Sequence, residues 1–313
     1  MTLSVIVPCY NEQDNVGLFY DAAVNAFDTL GITYELVFVN DGSKDKTLES
    51  LKALCNIGTV PVRVINFSRN FGKEAAIFAG LNECKGNYAV LIDADLQQRP
   101  EVACEMFRKI KENPEYDCVT AYQKDRSEGK VLTGFKNAFY KIINKIADTP
   151  FVSGASDFRL MSRAMIDAVL SVREYHRFSK GIFSWVGFNT LYLPYKAEER
   201  ANGKSTWSFW KLLKYAIEGI VAFTTAPLKL SIFVGLVSAV ISAVYCVIVI
   251  IQKLCFGIDV PGYATIVVLL LLLGGLQLLC LGILGEYLSK IYIQSKDRPI
   301  YIIKEVLSND KKD

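Results

Sequence analysis

The 313-residue sequence has one histidine and no CxxC pair among its eight cysteines. These absences exclude a zinc site built from cysteine and histidine, and they indicate no disulfide framework. We therefore expect reduced, mostly buried thiols in a cytosolic domain. A net charge of +3 is too small for the basic surface of a nucleic-acid-binding protein, so no nucleic-acid partner is expected. The lone His176 is expected to be a packing or surface residue.

Charged residues are missing from two long C-terminal stretches. Leu230–Ile251 and Tyr263–Gly285 contain 22 and 23 residues without a charge. At ~1.5 Å per residue each is about 33 Å long as a helix, enough to cross a bilayer core. The alternative is a pair of buried core helices. Lysines flank the two stretches on their outer sides, which predicts that both long ends of the chain face the cytoplasm. We also expect no signal peptide, since Met1 leads directly into a strand-like run.

The first half of the chain alternates apolar strands with helical patterns. This alternation predicts a parallel sheet covered by helices on both faces. The predicted strands are Leu3–Val7, Tyr34–Val39, Val60–Phe67 and Tyr88–Ile92, and the predicted helices are Asn15–Leu30, Lys46–Cys55 and Glu74–Asn82.

A polar cluster follows each predicted strand, and Asp93-Ala94-Asp95 follows the fourth. Two carboxylates one residue apart can bind one divalent cation, because Mg²⁺ prefers oxygen ligands and substrate phosphates. A solvated turn is the alternative for an isolated Asp-x-Asp. Ligands bind at the carboxyl ends of strands in open α/β sheets, so the four clusters together predict a nucleotide-diphosphate site. The other three clusters are Asn11-Glu12, Asp41-Gly42-Ser43 and Ser68-Arg69-Asn70.

An ordered set of motifs resembles the polyprenyl-phosphate glycosyltransferases of glycosyltransferase family 2, an inverting GT-A type. Dolichyl-phosphate mannose synthases and undecaprenyl-phosphate glucosyltransferases belong to this type. The resemblance runs from Leu3 to about Ile303. It rests on the two uncharged stretches and on Val7-Pro8-Cys9-Tyr10-Asn11-Glu12, Val39-Asn40-Asp41-Gly42-Ser43 and Asp93-Ala94-Asp95-Leu96-Gln97.

The resemblance implies an α/β, Rossmann-like GT-A catalytic domain with a mostly parallel sheet over residues 1–198. A juxtamembrane loop and amphipathic interfacial helix would follow over 199–228, then a two-helix transmembrane hairpin over 229–288. Residues 289–313 would be a cytosolic tail. The protein would thus be an integral membrane protein of the cell membrane, with its catalytic domain and C-terminus in the cytoplasm.

The resemblance also assigns roles to individual residues. Asp93, Asp95 and Gln97 would bind Mg²⁺ or Mn²⁺. The acceptor phosphate would be bound by Arg126, Lys130, Lys136 and Arg177, although the two lysines could equally be surface charges. The nucleotide-sugar would be bound by Pro8, Tyr10, Glu12, Asp41, Asp93, Ala94, Asp95 and Arg200. In the late segment Arg200–Trp207, Thr206 occupies the position of the usual family lysine.

Asp157 matches the position of the catalytic carboxylate in the family. A phosphate monoester has a second pKa near ~6 and is already largely ionised at neutral pH, so it hardly needs a general base. Asp157 could instead orient the acceptor. A structural alternative is an N-cap before a helix over Phe158–Val169.

The implied function is metal-dependent, inverting transfer of a hexose-like sugar from a nucleotide-sugar, expected to be a UDP-sugar, to a polyprenyl phosphate such as undecaprenyl phosphate. Such products serve cell-envelope glycosylation. A processive polysaccharide synthase is one alternative, but the Gln-x-x-Arg-Trp motif is missing. A non-catalytic nucleotide-sugar sensor or scaffold is another, and it would be expected to lose the Asp-x-Asp pair. Gly274-Gly275 and Gly282 permit close helix packing and leave a homo-oligomer open.

Overall fold

The computed structural model describes residues 1–57, 59–123, 155–195, 224–256 and 262–309. The chain divides into two compact units, Met1–Leu213 with Arg298–Asp313, and Lys214–Asp297. Some predictions lie outside the described residues. These are the acceptor-binding roles of Arg126, Lys130 and Lys136, the role of Arg200, and the interfacial helix before the membrane stretches.

The N-terminal part of the first unit alternates strands and helices as the sequence predicts. Its apolar strands are buried on both faces, which is typical of parallel strands covered by helices. The elements are β1 (Leu3–Cys9), α1 (Val16–Phe27), a 3₁₀ turn (Asp28–Leu30), β2 (Tyr34–Asn40), α2 (Thr47–Ile57), β3 (Val62–Phe67), α3 (Lys73–Glu83) and β4 (Tyr88–Leu91).

The rest of the unit adds strands of both directions to this core. Helix α4 (Pro100–Glu112) begins with a proline at its first position, where the missing N–H costs nothing. The remaining elements are β5 (Cys118–Gln123), β6 (Ala155–Ser162), α5 (Arg163–Ser171), α6 (Ser179–Trp185) and β7 (Thr190–Tyr195).

Among the described residues, eight strands form one sheet in the order β7-β5-β6-β4-β1-β2-β3-β8, where β8 is Ile303–Ser308 near the C-terminus. Strands β4, β1, β2 and β3 run parallel to one another. Strand β6 lies antiparallel to both β4 and β5, and β7 is parallel to β5. The sheet is therefore mixed and mostly parallel, as expected for a GT-A domain.

Strand β6 corrects one structural alternative. A helix over Phe158–Val169 is wrong, because Ala155–Ser162 is a strand and α5 begins only at Arg163. The side chains of Phe158 and Leu160 are fully buried in the sheet core. Ser162 is the N-cap of α5, and its hydroxyl accepts a hydrogen bond from Met165 N.

The last described residues form strand β8 (Ile303–Ser308), which pairs antiparallel with β3 at the edge of the sheet. The segment predicted as a cytosolic tail, 289–313, thus contains the end of a long helix and a strand of the eight-stranded sheet. The Tyr301 ring stacks on Phe67 with centroids 5.0 Å apart, and Ser68 N donates to Ile302 O.

The second unit contains two long helices, α7 (Ala226–Phe256) and α8 (Tyr263–Ser295). Within them, Ala226–Gln252 and Ile266–Ser295 have the length and hydropathy of membrane spans, and neither apolar window is buried. Core helices would be buried, so the alternative of two core helices is not supported. The Tyr287 hydroxyl donates to Thr224 O at 2.7 Å.

Candidate active site

The register between β4 and β6 brings Asp93 and Asp157 together. Leu91 is paired with Arg159, and each further step along β4 advances one residue while β6 goes back one. The ladder between the two strands ends at this pair, and both carboxylates lie two residues beyond it, Asp93 after β4 and Asp157 within β6. Because two neighbouring carboxylates repel each other, this arrangement calls for a cation or a function.

Lys73 provides the cation. Its Nζ lies 2.6 Å from Asp93 Oδ1 and 3.6 Å from Asp157 Oδ2. Burial acts to lower the pKa of Lys73, but the two carboxylates outweigh burial and raise it. Burial likewise acts to raise the pKa of Asp157, and the positive charges of Lys73, Lys180 and Arg159 lower it overall. The raised pKa of Lys73 and the lowered pKa of Asp157 keep both of these groups charged at neutral pH.

The three residues line a small pocket at the carboxyl end of β1 and β4. Pro8, Ile77 and Gln98 are among its other walls. Asp157 Oδ1 is buried and has no hydrogen-bond partner among the described residues. A buried carboxylate oxygen without a partner costs stability, which is typical of a functional position.

The Asp93–Gln98 loop is fixed by its own hydrogen bonds. The Gln98 amide accepts from Asp93 N at 2.9 Å and donates to Asp93 Oδ2 at 3.1 Å. Asp95 Oδ1 accepts from Gln97 N at 3.1 Å. Leu96 between them has φ +59, a left-handed conformation that a leucine rarely adopts. The loop thus holds both carboxylates in a defined, locally strained turn.

The predicted metal ligands suit Mg²⁺ or Mn²⁺. Asp93, Asp95 and Gln97 offer oxygen atoms on one short loop, and Mg²⁺ is usually bound by one or two carboxylates together with substrate phosphates. The described residues contain no group of three or more His, Cys, Asp or Glu side chains that would form a complete protein cage. The donor set therefore fits a metal that arrives with a diphosphate.

Asp41 has a structural task in this arrangement. Its Oδ1 accepts from Phe71 N at 2.6 Å, and its Oδ2 accepts from Gly72 N at 2.9 Å. Burial raises the pKa of Asp41, and these two hydrogen bonds only partly oppose the rise. Asp41 thus fixes the loop before α3, and its predicted contact with the nucleotide stays a prediction.

The remaining predicted donor-binding residues lie on the loop after β1 and on the Asp93 loop. Tyr10 is 42% exposed, as a side chain available for stacking on a base must be. Glu12 accepts from Asn15 Nδ2 at 2.6 Å, and its backbone N–H donates to the Thr47 hydroxyl at 2.8 Å. Ala94 is buried beneath the loop.

Arg177 is not among the residues that line this pocket. Its guanidinium donates to the carbonyl oxygens of Val169 and Val172 and lies over the Phe78 ring at 4.2 Å. It is 8% exposed, and burial lowers its pKa. These contacts give Arg177 the role of closing the C-terminal end of α5.

No sequence motif predicts a site role for Lys73, Gln98 or Glu74. Glu74 is mostly buried and accepts hydrogen bonds from Ser179 N and Oγ. Lys73 and Glu74 begin a helix after a polar cluster that the sequence does show, Ser68-Arg69-Asn70. The antiparallel β4–β6 register was the missing information, because only that register shows which side chains Lys73 meets.

Comparison with known proteins identifies the family. The model of glycosyl transferase family 2 matches residues 4–170, more than half of the chain. The chain belongs to glycosyltransferase family 2. The family-2 domain is joined to a second matched unit, described as the GtrB C-terminal hairpin, over residues 226–291. This hairpin includes both long apolar helices, so the predicted resemblance is confirmed in both parts and the protein is a glycosyltransferase.

Relatives from the family match nearly the whole chain. The bactoprenol glucosyl transferase of Shigella phage SfV is 41% identical over 305 residues, covering 97% of this chain and 98% of that protein. The putative glycosyltransferase CsbB of Bacillus subtilis is 41% identical over 303 residues, covering 97% and 91%.

A solved structure shares the fold of this family-2 enzyme. It is glucosyl-3-phosphoglycerate synthase from Mycobacterium tuberculosis in complex with Mn²⁺, uridine-diphosphate and phosphoglyceric acid. The TM-score is 0.50 at 16% identity, and the match covers 70% of this chain and 76% of that one. At this identity the likeness concerns the fold alone.

Proposed function

We propose that this glycosyltransferase transfers a hexose from a nucleoside-diphosphate donor, with UDP-glucose as the first candidate, to a polyprenyl phosphate. The observation that carries the proposal is the facing pair Asp93 and Asp157 with Lys73 between them at the carboxyl edge of the sheet. One carboxylate lies on the proposed diphosphate loop and the other faces it across a pocket. The glucosyl transferase names of the full-length relatives favour glucose and bactoprenol.

The proposed reaction is a substitution at the anomeric carbon of the donor sugar. An acceptor phosphate oxygen attacks the anomeric carbon, the bond from that carbon to the donor diphosphate breaks, and its electron pair leaves with the nucleoside diphosphate. Attack opposite the leaving group inverts the anomeric carbon. Asp93, Asp95 and Gln97 would hold Mg²⁺ or Mn²⁺, which supplies positive charge beside the diphosphate.

Asp157 is proposed to orient the reaction partners without acting as a general base. The acceptor is already largely dianionic near neutral pH. The lowered pKa of Asp157 keeps it charged, so it has no proton to donate in this range. Its buried, unpartnered Oδ1 can accept a hydrogen bond from a sugar hydroxyl.

The two long helices are proposed to bring the pocket to the lipid acceptor. Their apolar surface is unburied and long enough to span a bilayer. A polyprenyl phosphate has its reactive group at the bilayer interface, so attachment there raises the effective concentration of the acceptor. The flanking lysines favour a catalytic domain on the cytoplasmic side.

The proposal is tested with the purified full-length protein, undecaprenyl phosphate and a panel of radiolabelled UDP- and GDP-sugars. We expect one UDP-hexose to yield a labelled lipid, with Mg²⁺ or Mn²⁺ required and EDTA abolishing the product. Formation of the labelled lipid at an equal rate in the presence of EDTA would contradict metal dependence. Donor binding without lipid product from any sugar would favour a sensor over an enzyme of this kind.

A further inference from the structure

Lys73 occupies a position that helix stability alone does not explain. It is the first residue of α3, where the helix dipole disfavours a positive charge. The residue before it, Gly72, has φ +98, and both Phe71 and Gly72 donate backbone N–H groups to Asp41. The fold thus fixes the backbone just before Lys73 and directs a cation into the pocket.

The contacts of Lys73 join the two halves of the site. Its ammonium bonds Asp93 on the proposed diphosphate loop and lies beside Asp157 on β6. A lysine ammonium has three N–H donors, so two carboxylates leave one donor for a ligand. The side chain is 45% exposed, so the protein does not enclose it completely.

The charges around the pocket indicate which kind of ligand the third N–H donor of Lys73 binds. Asp93, Asp95 and Asp157 are three carboxylates, and both proposed substrates carry phosphate groups. A phosphate approaching Asp157 is repelled unless a cation lies between them. Lys180 and Arg159 also act on Asp157, but Arg159 lies over the Phe183 ring and donates to Ser156 O. Within the part of the chain that the structure describes, Lys73 is the cation that contacts both carboxylates.

We propose that Lys73 is a substrate-binding residue whose third N–H donates to a phosphoryl oxygen. The oxygen belongs either to the donor diphosphate or to the acceptor phosphate. This inference rests on the proposed function, because it takes the pocket to be the place where the two phosphate groups meet. It goes beyond that function by assigning a phosphate contact to a residue that the Asp-x-Asp motif does not include.

The test compares wild-type protein with Lys73→Gln and Lys73→Arg at full length. Lys109→Gln is the matched control, because Lys109 is 42% exposed and also pairs with a carboxylate, Glu112, far from the pocket in the chain. Initial rates are measured against UDP-glucose and undecaprenyl phosphate, and calorimetry measures UDP-glucose binding without acceptor. Loss of one electrostatic contact to a transition state costs about 10²–10³ in rate, and we expect Lys73→Gln to lose at least about 100-fold in kcat/KM.

This experiment distinguishes which of the two substrates Lys73 contacts. Weaker UDP-glucose binding by Lys73→Gln assigns the contact to the donor diphosphate. Unchanged UDP-glucose binding with a raised KM for undecaprenyl phosphate assigns it to the acceptor. In both cases Lys73→Arg, which keeps the charge, is expected to recover about tenfold or more of the loss. Lys73→Gln kinetics within about threefold of wild type would overturn the inference.

A second pair of variants distinguishes loss of ligand binding from loss of folding. Lys73→Gln leaves two carboxylates facing each other, so the variant could unfold. The double variant Lys73→Gln with Asp157→Asn removes this repulsion. The single variant Asp157→Asn is the reference for the double variant. The double variant is expected to bind UDP-glucose or a short-chain polyprenyl phosphate at least about tenfold more weakly than Asp157→Asn. Equal affinities for both ligands would limit Lys73 to a structural role. If the wild-type protein forms no lipid product, the proposed function itself has failed.

Discussion

At the scale of single residues, Asp41 shows how a motif residue can support a site through the backbone. Its two carboxylate oxygens bind two consecutive N–H groups, and it is 3% exposed. A residue that the sequence predicts to bind the nucleotide thus also fixes the backbone directly before Lys73.

Replacing Asp41 with alanine is expected to destabilise the catalytic domain by about 2 kcal/mol, because two part-buried N–H groups lose their acceptor. Donor affinity should fall as well, since the loop before α3 loosens. The measurement is chemical unfolding together with UDP-glucose calorimetry. Asp21→Ala, an exposed position on α1, is the control and should resemble wild type. Equal stability of Asp41→Ala and Asp21→Ala would contradict the structural role.

Glu74 provides a pH-dependent prediction. Burial and the nearby charge of Asp157 raise its pKa above the ordinary 4.5, and the hydrogen bonds from Ser179 only partly oppose this. A carboxyl with a raised folded-state pKa contributes stability that is present below its ordinary pKa and lost as pH rises through the raised value. The ionised Glu74 side chain therefore lowers the free energy of unfolding at neutral pH.

The Glu74→Gln variant should accordingly unfold at a higher temperature than wild type at pH 7–8. This advantage should shrink as the pH is lowered toward 4.5, the ordinary pKa of glutamate. Thermal unfolding followed by circular dichroism at several pH values measures the difference. A constant difference at all pH values would show that charge is not its cause.

At the scale of elements, the sequence predicted the parallel half of the sheet and missed most of the rest. Strands β1 to β4 were predicted because each is a local apolar run that ends in a turn signal. Strand β6 was not, since pairing with β4 and β5 depends on residues far apart in the sequence. For the same reason Asp93 was recognised from a motif, but its position opposite Asp157 was not.

Strand β8 was missed because it follows a candidate membrane span and the sequence there resembles a charged tail. In the structure it covers the β3 edge, and Glu305 accepts from Asn66 Nδ2 at 3.0 Å. Asn66 in turn accepts from Asn40 Nδ2 at 2.8 Å, and Asn40 accepts from the Ser43 hydroxyl at 2.5 Å. The strand therefore ends a hydrogen-bond chain that begins at Ser43, in the motif predicted to bind the nucleotide.

Truncation after Asp297 should destabilise the catalytic domain, because β3 becomes an unprotected edge and Phe67 loses its stacking partner. A loss of roughly 3 kcal/mol would lower the thermal midpoint by about 6–12 °C in a domain of this size. Truncation after Asn309, which retains β8, is the control. The same midpoint for both truncations would show that β8 contributes little.

At the scale of the whole molecule, the connectivity constrains the membrane topology. Strand β8 belongs to the same sheet as β1, while both candidate spans lie between them in the chain. A chain that crosses a membrane in both spans must therefore return to the side from which it started. The flanking lysines predict that this side is the cytoplasm.

Tags at the two chain ends test this topology. Both should be inaccessible to an impermeant reagent in intact cells and accessible in inverted vesicles. The comparison is labelling yield in the two preparations, with a known cytoplasmic protein as the reference. Labelling of one end only in intact cells would place the ends on opposite sides and contradict the shared sheet.

The central claim is that the Asp93 loop serves sugar transfer to a lipid phosphate. The most direct measurement is the initial rate of lipid-linked sugar formation by wild type and Asp93→Asn, with Asp167→Asn, an exposed residue on α5, as the control. Wild type and Asp167→Asn should form the product at similar rates. Asp93→Asn should be slower by about 10²–10³, the cost of losing one electrostatic contact to the leaving group. An Asp93→Asn rate equal to wild type would contradict the account.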